Sequence, residues 1–192
     1  VWRFVFLSSG IEYRAQMQTI WLLMFSVIVG SNFSQGVLVS ERINGALEVL
    51  LTSGLSRGQI LYGKCVFIVV MSVAMGYLCV VLSMIWLAVA NAMGGGYSAV
   101  VGPGGFVAFA AAAYMNAASA AWLSIHLSNP RMLHFINFVF MACAVALYHT
   151  LAFFVPGALP ALVLLLLVMG TLFLALARRG FEGEKIIRPV HL

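Results

Sequence analysis

The sequence contains no aspartate, and five glutamates supply all its side-chain carboxylates over 192 residues. Charged residues of every kind amount to 8%, against roughly 25% in an ordinary soluble domain. So few charges cannot cover the surface of a water-soluble fold of this length, which excludes that class. Cysteine is scarce as well. Cys65, Cys79 and Cys143 lie in or beside apolar runs without metal or disulfide spacing, and read as small packing residues. The net charge is +5, but the basic residues are scattered through short gaps between apolar runs. That distribution belongs to membrane topology and not to a nucleic-acid surface, so no nucleic acid is expected as a partner.

Apolar residues are abundant, at 64%. Five stretches reach the roughly 20 residues needed to cross a hydrocarbon core: 18–39, 62–90, 106–127, 133–155 and 159–177. The expected fold is an all-α integral membrane protein, a single domain over 1–192 with a loop at 41–61 and a tail at 178–192. The second stretch is long enough to tilt or to project beyond the bilayer. Arg42, Arg57, Lys64, Arg131, Arg178, Arg179, Lys185 and Arg188 fall in the first gap, the third gap and the tail. The gap at 91–105 and the turn at Pro156 carry no charge. The positive-inside rule therefore places those eight residues and the C-terminus in the cytoplasm, and leaves Arg3 and Arg14 outside. Five spans then put the N-terminus outside, although no cleavable signal precedes the first long apolar run. One further span upstream of Val1 removes the difficulty, and six spans are expected in the complete subunit.

The first gap is the most informative. Residues 46–52 can form about two turns of helix, with Gly54 as a left-handed stop. Leu47, Leu50 and Leu51 share one face of those turns. Ser56 with Gln59 fits a capping box opening the next span. A short amphipathic helix at the membrane surface follows, and two roles fit it: anchoring the loop among lipid headgroups, or docking something in the cytosol.

Within this gap the run Glu41-Arg42-x-x-Gly45-Ala46-Leu47-Glu48-x-Leu50-Leu51, then Leu55-Ser56-Arg57 and Gly63-Lys64, resembles the signature loop of type-2 ABC-exporter permeases. Ala46 stands where that family commonly has Thr, and Gly54 where it commonly has Pro. Phe181-Glu182-Gly183-Glu184-Lys185 is similar to the family's closing motif, with Gly183 in place of a frequent Arg. The resemblance implies six spans with both termini inside, of which this chain supplies the second to sixth. It also implies that Glu41, Gly45, Leu47, Glu48, Leu50, Leu51 and Arg57 couple the chain to a separate ABC-type ATP-binding subunit. A second permease copy or paralogue would complete the path, with ATP and Mg on the partner ATPase and no cofactor on this chain.

Other motifs are weaker. Gly58 to Lys64 matches Gly-x4-Gly-Lys, but Cys65 replaces the Mg-binding Ser or Thr, bulky Ile60, Leu61 and Tyr62 fill the cradle, and no strand precedes it. ATP hydrolysis is therefore expected on a partner chain. His126, His134 and His149 pair with no carboxylate or cysteine at ligand spacing, so no metal site is expected. Ala110 to Ala113 and Ala117 to Ala121 suit close helix packing. Ser31, Asn32, Gln35, Asn116, Ser119 and Asn137 are candidates to line a path, with helix packing as the alternative. Glycines 94–96 and 102–105 mark a turn-rich connector.

The expected function is half of the translocation path of an ATP-driven exporter in a bacterial plasma (inner) membrane. Two alternatives share the architecture: a haem-exporter-type subunit of cytochrome maturation using His149, and a membrane scaffold moved by an ATPase without passing cargo. An intramembrane enzyme fits least, because no catalytic pair sits at plausible depth.

Overall fold

In lipid, a backbone must satisfy its own polar groups, and the long apolar runs do so as helices. The computed structural model describes residues 10–44, 52, 54–93, 103–127, 129–154 and 157–180. Helix α1, Gly10–Ser34, continues without a break through a π-helical turn, Gln35–Val39, and a last α turn, Ser40–Ile43. Helices α2 (Arg57–Ala92), α3 (Pro103–His126), α4 (Pro130–Phe154) and α5 (Leu159–Gly180) follow. All five are long and apolar enough to cross a membrane, and no strand occurs among the described residues. The chain is an all-α membrane bundle. Residues 45–51, which hold most of the expected surface helix, lie outside the described residues, as does the tail from 181 onward.

Local chemistry sets the helix starts. Before α2, Gly54 takes a φ of 80°, a left-handed conformation that glycine adopts without strain. The Ser56 backbone N–H then donates to Gln59 Oε1 at 2.9 Å, and the Gln59 N–H to Ser56 Oγ at 3.3 Å. This reciprocal cap lets the helix begin at Arg57, ahead of the apolar run that starts at Tyr62. Pro103 and Pro130 each open a helix at the position where a missing N–H costs nothing. Pro103, Gly104 and Gly105 are therefore the first turn of α3 and not part of the preceding connector.

Helix α3 is the axis of the bundle and packs against all four other helices. Small side chains make this possible. Ala108, Ala112, Ala113, Ala117, Ala120 and Ala121 are fully buried, so neighbouring backbones approach closely. The partner helices contribute glycines at the tightest points. A Cβ on Gly76 of α2 would lie 2.1 Å from the Phe109 ring, and one on Gly170 of α5 would lie 2.6 Å from Tyr114 and 3.3 Å from the Met115 backbone. On α1, Ser26, Gly30 and Ser34 recur every fourth residue and form the buried face against α3 and α4.

Consecutive helices run antiparallel, so the ends of α1, α3 and α5 meet the starts of α2 and α4. Glu41 pairs with Lys64 there, Gln35 with His134, and Gly180 lies beside Ile125 and His126. Arg42, Arg57, Arg131, Arg178 and Arg179 fall at this same basic end, while Arg14 sits near the start of α1. Toward the other end, α2 leaves the bundle. Its side chains from Val81 to Trp86 are all exposed, and 36 residues give a rod of about 54 Å against a core of about 30 Å.

Candidate functional site

The basic end carries the base of the first loop. Glu41, in the last turn after α1, and Lys64, in the second turn of α2, form an ion pair across 23 residues of chain. The Lys64 side chain is 9% exposed and that of Glu41 33%. A lysine so nearly buried requires a carboxylate beside it, because an unpaired charge there would be strongly desolvated. The pair fixes the distance between the two strands of chain that enter and leave residues 42–63. Of the expected coupling residues, Glu41 is thus engaged within its own chain, and Arg57 is exposed as the first residue of α2. Gly45, Leu47, Glu48, Leu50 and Leu51 lie outside the described residues. Gly58 to Lys64 is continuous helix. From Ile60 onward its backbone N–H groups bond within the helix, so the run is not the open loop that cradles a phosphate.

Above the loop base, a polar seam crosses the interior. Asn116 on α3 donates from Nδ2 to Ser26 Oγ on α1 at 3.2 Å, and Ser26 Oγ donates to Leu23 O at 2.6 Å. Asn137 on α4 donates from Nδ2 to Ser31 Oγ at 3.4 Å and accepts from Ser119 Oγ at 2.8 Å. Ser31, Asn116, Ser119 and Asn137 are fully buried. Three of the six path candidates, Ser31, Ser119 and Asn137, are therefore joined to one another, and Asn116 to Ser26, tying α1, α3 and α4 together. Interhelical bonds of this kind stabilise a membrane protein by about 0.6 kcal/mol on average, and up to about 1.7. Asn32 is different. It is exposed on the outer side of α1, where its amide donates to Ile28 O at 2.8 Å. Gln35 is half-buried in the π turn and meets His134 Nε2 at 2.7 Å. A π turn widens the helix locally and often marks a functional position.

Sequence reasoning did not find several members of this arrangement. Ser26 extends the seam, and Ser72 on α2 is buried beside it with an unpartnered hydroxyl, as is Asn116 Oδ1. Both residues close on Gly30, where an added Cβ would stand 3.3 Å from Asn116 Cβ and 3.8 Å from Ser72 Oγ. The four-residue spacing of Ser26, Gly30 and Ser34 was the available signal. The His134 partnership had none, since it joins residues 99 apart in sequence.

The remaining histidines are dispersed. His126 sits at the end of α3 with Nδ1 3.0 Å from Trp122 O, and His149 is exposed on α4 near its far end. Among the described residues no group of three His, Cys, Asp or Glu side chains converges. All three cysteines are free. Cys65 is buried as a packing residue, whereas Cys79 is partly exposed and Cys143 exposed. Comparison of the chain with protein-family models, with characterised proteins and with solved structures finds no match.

Proposed function

We propose that this chain is the membrane-spanning subunit of an ATP-driven exporter of the ABC type, forming half of a translocation path and docking a separate ATPase at its basic end. The observation that carries the reading is the loop between α1 and α2. Its sequence spaces Leu47, Leu50 and Leu51, with Glu48 beside them, as an amphipathic helix would, and such an element suits a groove on a cytosolic partner. The described residues around it suit that use. The Glu41–Lys64 pair and the Ser56–Gln59 cap hold both ends of the loop on long helices. A push on such a loop would tilt α1 and α2 as rigid rods, without first taking up slack at their joints. Glu41 then positions the docking helix and does not itself touch the ATPase. The positive-inside rule supports a plasma-membrane orientation with the basic end and the C-terminus in the cytoplasm.

The sequence offers only an incomplete P-loop pattern, and on this reading the energy comes from the partner, which carries the nucleotide and its Mg. A second copy or a paralogue would close the path. Asn32, open on the outer side of α1, and Gln35 beside it are the path candidates free of the interior seam. The decisive variant is Leu47→Asp with Leu50→Asp. The docked ATPase is expected to be lost on co-purification while the chain still inserts and folds. Retention of the ATPase, together with intact transport, would sink the docking assignment.

A further inference from the structure

A groove of about 600 Å³ opens between α2, α3 and α5, with no residue of α1 or α4 in its lining. Arg178 and Arg179 form its rim at the basic end. Leu174 and Ala175 continue along its wall, and Thr171 lies about 10 Å deeper along α5. Tyr114 forms the inner wall, pressed against α5 at Gly170, where even one added carbon would meet its ring at 2.6 Å. Tyr62 closes the α2 side. No carboxylate lines the groove, and neither guanidinium has an ion-pair partner among the described residues.

Arginines ending a span usually extend their heads into the interface and mark topology only. Here two of them crown a concave slot that runs from the headgroup level into the hydrocarbon region. The slot has cationic donors at one end, the apolar side chains of Leu174 and Ala175 next to them, and the Tyr114 ring and Thr171 hydroxyl deeper in. That order fits a molecule with an anionic head at the arginines and an aliphatic tail lying over Leu174, Ala175 and the Tyr114 ring. We infer that the groove is a binding site for an anionic phospholipid, its phosphate held by Arg178 and Arg179 and one acyl chain lying over Leu174 and Ala175 toward Tyr114. Arginine suits this role because its planar fork meets phosphate oxygens in pairs. The site is independent of the exporter reading: it needs only the groove and the bilayer around it, and no ATPase.

The test offers the purified full chain in neutral detergent phosphatidylglycerol and phosphatidylcholine with identical acyl chains, and counts the retained lipids by native mass spectrometry. Phosphatidylglycerol should be preferred by on the order of 30-fold, the combined effect of two basic side chains at an anionic headgroup. Arg178→Gln with Arg179→Gln should reduce this to about twofold, with the helical circular-dichroism spectrum unchanged. The Arg178→Lys, Arg179→Lys pair keeps the charge and should keep most of the preference. Arg57→Gln, at the same end but outside the groove, should keep all of it. Equal retention of the two lipids by the unaltered chain overturns the inference and needs no variant. So does a preference that survives the double Gln substitution. Displacement of phosphatidylglycerol by an equal concentration of inorganic phosphate would reveal an anion site without a lipid, and overturns it too.

Discussion

Helices α3 and α4 differ by a single residue in length, yet 72% of the α3 span is buried and only 17% of the α4 span. The buried helix is not clearly the more apolar of the two. In water, burial and apolarity would go together. In a bilayer the tails solvate leucine as well as another helix does, so apolarity gives no reason to be inside. Close backbone approach and the need to pair polar groups do. Helix α3 offers alanines, Asn116 and Ser119 for burial, while α4 turns Phe135, Phe138 and Leu147 outward. The side chains that α4 does bury are Leu133, Asn137, Met141, Ala144 and Tyr148, and of these Asn137 bonds within the seam.

The contrast can be broken most severely by size. Ala117→Leu on α3 should overpack the interface and destabilise the fold by about 3 kcal/mol. Ala146→Leu, exposed on α4, should change stability by less than about 0.5 kcal/mol. Unfolding in mixed micelles measures both, and similar losses at the two positions would remove α3 from the centre.

A charge test comes next. Lys64→Gln should cost about 1–2 kcal/mol, lowered from the cost of a fully buried pair by the partial exposure of Glu41. Adding Glu41→Gln should restore at least half of that loss, because no orphaned carboxylate remains. A double variant whose loss equals the sum of the two single losses would show that the groups do not act as a pair.

The smallest effect compares adjacent polar positions. Asn137→Leu should lose about 1 kcal/mol with the seam. Asn32→Leu should leave the stability of the single chain almost unchanged, since its amide bonds only to its own helix. Equal losses would mean that Asn32 is also buried against something.

Much of the bundle was legible in the sequence. Span lengths follow from the width of the bilayer, and the Ser56–Gln59 cap and the left-handed backbone of Gly54 follow from short-range chemistry that residues a few positions apart can specify. The alanine runs of α3 signalled close packing. They did not say which helices would pack there, because that depends on contacts between residues far apart in sequence. For the same reason the polar candidates could not be sorted. Ser31 and Asn32 are neighbours of similar polarity, and only the rotation of α1 in the bundle separates a buried tie from an open face. The Gly63-Lys64 motif was visible, but its pairing with Glu41 emerged only once α1 and α2 stood side by side. The lipid groove had no sequence signature at all, since it draws on three helices.

The account stands on the α1–α2 loop as the contact with an ATPase, and site-specific photo-crosslinking in cells tests that most directly. A photoreactive residue at Leu50, in the loop, is compared with one at Val89, exposed near the far end of α2. The account predicts a crosslinked nucleotide-binding protein from position 50 and none from position 89. No such adduct from position 50, or the same adduct from both positions, would contradict it.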